Sequence, residues 1–219
     1  MKFTRDELRR AMLLYAVTDR SWLNGRTLEE DVEAALKNGV TFLQLREKEL
    51  PGREVLAQAV RLKELARAYR VPFVVNDRVE LALESGADGV HVGQKDIRGR
   101  DIRAMLGPDR ILGVTANTVE LALAAQAAGA DYVGAGAVFG TSTKKDANPL
   151  TMDRLRAICR AVDIPVVAIG GISAQNIHLL SGSGAAGAAV VSALFAAPDI
   201  GAAARDLLAR AREMEAGHG

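Results

Sequence analysis

The chain holds one cysteine in 219 residues, Cys159, so an intrachain disulfide is excluded. A reducing, cytoplasmic setting is the expectation. With no partner motif beside it, Cys159 reads as a packed helical residue rather than a nucleophile. Net charge is nearly absent as well: 28 basic residues face 27 acidic ones, for a formal +1. No global field therefore draws the protein to nucleic acid or to an anionic membrane. No apolar run approaches the ~20 residues of a membrane span. The run "AMLLYAV" (11–17) follows basic residues but is short, meets Asp19 and lacks a small-residue cleavage pattern, so it reads as a strand and not a signal peptide. Aromatics are scarce, at 4%, while alanine and glycine are plentiful.

What is present is alternation. Short β-type runs recur at 13–19, 41–47, 72–77, 89–94, 110–116, 132–139, 165–171 and 188–195. Amphipathic helical stretches lie between most of them. "TLEEDVEAALKNG" begins on a Thr cap and ends at Gly39, and "TVELALAAQAAG" repeats the pattern. The unit around 89–101 is short, so its helix is the weakest of the set. The segment after Ala197 predicts a final helix. Pro72 and Pro165 each open a strand, where proline is tolerated. Eight β-α repeats predict a parallel sheet, and a chain of this length predicts a single (β/α)8 TIM barrel over residues 1–219. An open doubly wound sheet would carry a Gly-rich fingerprint after its first strand, and "YAVTDRSWLNG" has none.

Barrel active sites lie at the C-terminal ends of the strands. On strand two, Gln44, Arg46 and Lys48 share one face by alternation, and Leu43 and Leu45 the other, under the helices. Arg46 and Lys48 then point into the barrel mouth, where an anion or a structural carboxylate partner must meet them. Strand three ends in Asn76 and Asp77, and Asp96 follows strand four. Two carboxylates at neighbouring strand ends suit one magnesium ion. Asp77 equally suits a cap for a helix starting near Arg78, and Asp96 a turn cap. Thr115 ends strand five, and His91 inside strand four reads as a satisfied core histidine. After strands seven and eight, the backbone near Gly171, Val191 and Ser192 suits a phosphate. No Ser-His-Asp or Cys-His set is evident.

The ordered set "QLREK" (44–48), "VVND" (74–77), "GADGVHVGQKD" (86–96), "GVTA" (113–116), "TSTKKDA" (141–147), "AIGGI" (168–172) and "VVSAL" (190–194) resembles the thiamine phosphate synthase family. That family joins 4-amino-2-methyl-5-hydroxymethylpyrimidine diphosphate to a thiazole phosphate, in plain or carboxylated form, and releases diphosphate. The resemblance implies that Gln44, Arg46, Lys48 and Asn76 bind the pyrimidine diphosphate, with Leu45 and Glu47 in the same stretch. It implies Asp77 and Asp96 as ligands of Mg2+, and Thr115 and Lys144 as further contacts to the diphosphate substrate. Thr141, Ser142 and Thr143 would face the thiazole phosphate, with Gly171, Val191 and Ser192 around its phosphate. Arg46, Lys48, Lys144 and Thr115 would assist the chemistry. Lys145 and Asp146 read as an exposed lysine and a turn residue. The sequence departs from the family pattern at Ala137 and Gly140, where prolines are common. A thiazole tautomerase or a catalytically silent regulator on the same fold would not need the full diphosphate and metal set. The expected partners are small molecules, with no nucleic acid and no membrane, and a homo-oligomer is left open.

Overall fold

The structure, a computed structural model, describes residues 3–140 and 149–217. Helix α1 (Arg5–Ala11) opens on a capping box, in which Thr4 accepts from the Glu7 amide and the Glu7 side chain accepts from the Thr4 amide. Then β1 (Leu14–Val17), a 3-10 turn (Arg20–Trp22), α2 (Leu28–Lys37), β2 (Phe42–Leu45), α3 (Gly52–Ala68), β3 (Phe73–Asn76) and α4 (Val79–Glu84) follow. They are succeeded by β4 (Gly89–Val92), α5 (Ile102–Leu106), β5 (Ile111–Thr115), α6 (Val119–Ala127), β6 (Tyr132–Gly136) and α7 (Met152–Ala161). The described chain ends with β7 (Val166–Ile169), a 3-10 turn (Ile177–Leu180), β8 (Gly187–Val190), α8 (Ser192–Phe195) and α9 (Ile200–Ala216).

All eight strands pair in parallel and in chain order, and β8 closes on β1. The expected barrel is present. The expected strand runs were too long, because each strand holds only four or five residues before its chain turns toward the mouth. Strand six stops at Gly136 rather than Phe139, and Ser192–Phe195, expected as strand, is a helical turn. Pro72 and Pro165 sit just before β3 and β7, and their carbonyls accept from the amides of Leu43 and Val133 in the neighbouring strands. After β7 a 3-10 turn stands where a full helix was expected, and α9 packs against that turn and α2.

Alternation along the strands divides the core in two. Ala16, Leu43, Leu45, Val75, Val90 and Val133 face outward and meet helix residues such as Val32, Leu62 and Leu155. Tyr15, Val17, Phe42, Val74, Ile111, Tyr132 and Val167 fill the interior, and Leu8 and Met12 join them from α1 and the residue after it. Tyr15, Phe42 and Tyr132 meet here. The Tyr15 ring lies 4.4 Å from Phe42 and 6.1 Å from Tyr132, centroid to centroid.

Candidate active site

A cavity of about 600 Å³ opens at the C-terminal ends of the strands. Gln44, Arg46, Lys48, Asn76, Asp77, Asp96, Thr115, Gly171, Val191 and Ser192 all line it, so residues spread across the sequence meet in one mouth. Residues 141–146, with Thr141, Ser142, Thr143, Lys144, Lys145 and Asp146, lie outside the described residues. A second hollow of about 620 Å³ lies among Phe3, Leu8, Arg103 and Ile164, beside the starts of β6 and β7. Arg103 is spent there on the carbonyls of Gly107, Arg110 and Gly129 and on Asp131, and Gln126 on two backbone amides. Those groups are structural, and the predicted site residues gather at the mouth instead.

On the β2 side, the Thr18 hydroxyl accepts from the Arg46 amide at 3.0 Å and fixes the chain where it leaves the barrel. The Arg46 guanidinium has one carboxylate near it among the described residues, Asp19 at 3.7 Å, too far for a hydrogen bond. A tight structural ion pair therefore does not consume it. Lys48 lies near enough to Asp77 to lower its pKa. Leu45 and Glu47 behave differently. Leu45 is buried under the helices, and Glu47 accepts from Arg20 at 2.5 Å and from the amides of Glu49 and Leu50. Neither side chain lines the cavity, so any contact from these two to a ligand falls to the backbone.

Asp77 follows β3 with φ 63°, in the left-handed region, and its amide donates to the His91 carbonyl at 2.7 Å. Such backbone strain on a non-glycine residue is held in place by its surroundings and concentrates at functional sites. It is not a helix cap, because the N-terminal position of α4 is Arg78 and no side chain caps it. Burial, then the adjacent Asp96 carboxylate, raise the Asp77 pKa above its ordinary value, while Lys48 and the Asn76 amide oppose the rise. Asp96 does serve its turn, accepting from the Gly93 amide at 2.9 Å. The Asp96 carboxylate also lies close enough to Asp77 to act on it directly. Two mutually unfavourable carboxylates with cations next to them form an arrangement that a divalent ion relieves.

Opposite, Gly170 and Gly171 take φ 102° and 66°. A side chain at Gly170 would strike Ala137, and one at Gly171 would strike the Gly140 carbonyl, so the β7 loop lies directly against the chain leaving β6. Lys95, Gln94 and Asn117 also line the cavity, and no local pattern singled them out. Gln94 donates to the Thr115 carbonyl at 2.6 Å, and Asn117 accepts from the Gly136 amide at 3.1 Å. His91, expected in the core, is both satisfied and cavity-lining, bonded to Tyr132 and Thr115. Cys159 is on α7, away from the mouth, and burial pushes its thiol up to about 11.

A family model described as thiamine monophosphate synthase matches residues 14–194. A thiamine-phosphate synthase of Ruminiclostridium cellulolyticum is 48% identical over 195 residues, covering 89% of this chain and 93% of that protein. One from Clostridioides difficile is 45% identical over 196 residues, covering 90% and 93%. Among solved structures, thiamine phosphate pyrophosphorylase from Pyrococcus furiosus matches with a TM-score of 0.87 at 39% identity, over 94% of this chain and 98% of that one.

Proposed function

The chain belongs to the thiamine monophosphate synthase family, and on that premise we propose how the residues of its cavity carry out the family's transfer. The reaction is that of a transferase: the aminopyrimidine diphosphate and the thiazole phosphate become thiamine phosphate and diphosphate. The bond between the pyrimidine methylene and the diphosphate oxygen breaks, and its electrons leave with diphosphate. The aminopyrimidine delocalises the positive charge left on the methylene. The thiazole nitrogen then donates its lone pair to that carbon. No protein nucleophile takes part, so the protein contributes position and electrostatics.

Arg46 and Lys48 bind the diphosphate and meet its growing negative charge, joined by Lys144 from the sequence that follows β6. Gln44, Asn76 and Thr115 hold the pyrimidine. Thr141, Ser142 and Thr143 meet the thiazole phosphate, with the backbone at Gly171, Val191 and Ser192 around its phosphate. Asp77 and Asp96 fit a magnesium ion, which takes one or two carboxylates and completes its shell with phosphate oxygens and water. When bound, magnesium neutralises charge on the departing diphosphate. The observation that carries this reading is one cavity holding the raised Asp77 beside Asp96, with Lys48 adjoining and Arg46 without a tight partner among the described residues.

The test mixes both substrates with the protein, with and without magnesium. Thiamine phosphate and diphosphate should appear together and only with the metal. Conversion between thiazole tautomers alone would sink the reading. In Asp96→Ala the magnesium dependence of the rate should shift to much higher concentrations, and an unchanged dependence would remove Asp96 from the site.

A further inference from the structure

One unbroken hydrogen-bond chain crosses the barrel interior beneath the cavity. Gln44 Nε2 lies 2.6 Å from the Tyr15 hydroxyl, and that hydroxyl 2.8 Å from the hydroxyl of Tyr132. The Tyr132 hydroxyl lies 2.9 Å from His91 Nδ1, and His91 Nε2 lies 2.9 Å from Thr115 Oγ1. Tyr15 and Tyr132 are fully buried, and burial, its largest cause, pushes both phenols above their ordinary pKa. Each therefore keeps its proton, and each both accepts and donates.

Such a chain has a direction. An amide nitrogen can only donate, so the Tyr15 oxygen accepts from Gln44 and passes its own proton toward Tyr132. Tyr132 then donates to Nδ1 of His91. With Nδ1 accepting, the His91 proton sits on Nε2 and points at Thr115. The Thr115 hydroxyl accepts there, and its own proton remains for the cavity. At the other end, Gln44 is only 4% exposed and lines the cavity, and with Nε2 spent on Tyr15 its Oε1 is the side-chain atom left to accept.

We infer that Tyr15, Tyr132 and His91 are positioning residues that fix Gln44 as an acceptor and Thr115 as a donor, the complement of an exocyclic amine and a ring nitrogen. This rests on the proposed placement of the aminopyrimidine between Gln44 and Thr115. A chain running the other way would offer a donor at Gln44 and an acceptor at Thr115, which suits the 4-oxo analogue. The strands make room for the rings. A Cβ at Gly113 would overlap the Tyr132 ring, and one at Gly134 would come within 2.9 Å of His91 Cε1. The acceptor at Gln44 also acts on rate. A hydrogen bond accepted from the amine increases its electron donation into the ring, so the bond strengthens as diphosphate leaves.

Nitrogen-15 NMR of the full chain, labelled at histidine and free of ligand, reads the direction without any substitution. A neutral His91 with its proton on Nε2 supports the inference, and a proton on Nδ1, or on both nitrogens at neutral pH, overturns it. Tyr132→Phe then cuts the chain at its middle. The variant should lose about tenfold or more in kcat/KM for the aminopyrimidine diphosphate, mostly in kcat. The KM for thiazole phosphate should stay the same, and the preference for the 4-amino substrate over the 4-oxo analogue should narrow. Adding Tyr15→Phe should cost little more, because the chain acts as a unit. A folded Tyr132→Phe protein with undiminished preference overturns the inference while leaving the transferase reading in place. No thiamine phosphate from the unaltered protein would overturn both.

Discussion

On the proposed reading, Asp77 serves function against stability. It occupies the left-handed region at φ 63° and its charge is opposed by burial and by Asp96. Asparagine tolerates that backbone region and keeps the side-chain shape without the charge. Asp77→Asn should therefore leave the unfolding midpoint of the magnesium-free protein equal to or above the original, while turnover falls on the order of 100-fold. Thermal unfolding and the diphosphate-release assay check the two halves, and a midpoint several degrees lower would show that the charge is structural. A β-branched residue fares worse for a different reason: Asp77→Val adds about 1–2 kcal/mol of backbone strain in that region.

The segment after β2 shows the same division at the scale of an element. Alternation carries Gln44, Arg46 and Lys48 to the cavity side, while Glu47 turns back to close the turn behind them. Burial works to raise the Glu47 pKa, but the amides of Glu49 and Leu50 and the Arg20 guanidinium outweigh it, and the net result is a lowered value. A depressed carboxyl pKa contributes stability above the unfolded value of 4.5 and loses it as pH falls through the folded value. Glu47→Gln should thus cost about 1–3 kcal/mol near neutral pH, and the gap to the original protein should close as pH falls below 4.5 and through the folded value. Denaturant unfolding at a series of pH values measures this, and a gap independent of pH would mean the carboxylate is not what holds the turn. The facing of β2 was legible because a period of two needs only neighbouring residues. The role of Glu47 was not, because its partner Arg20 comes from the segment after β1 and the spacing announces nothing. Likewise Asp77 and Asp96 could be placed at adjacent strand ends from chain order, but a cap and a metal ligand look alike until the backbone shows which amides are already taken. The Tyr15–Tyr132 contact, 117 residues apart in the chain, left no local pattern at all.

Along its axis the whole molecule is graded, and each level of the barrel has its own chemistry. At the base, Leu8 and Met12 meet the apolar interior residues, among them Ile111 and Ala186. Tyr15, Phe42 and Tyr132 belong to the same cluster, and the two phenols carry polar bonds upward from it. At the mouth, Arg46, Lys48, Asp77 and Asp96 surround the cavity. The grading lets stability be changed from below with little effect on chemistry above, provided the middle layer keeps its hydrogen bonds. Met12 is fully buried, and Met12→Ala removes most of its side chain from that base. The cost should be about 2–5 kcal/mol, since the rigid barrel collapses only partly around the lost volume. Its kcat and both KM values, measured well below the lowered unfolding midpoint, should match those of the original protein. If instead Met12→Ala also narrows the preference for the 4-amino substrate, the base and the hydrogen-bond chain move as one body, and the layers are coupled rather than graded.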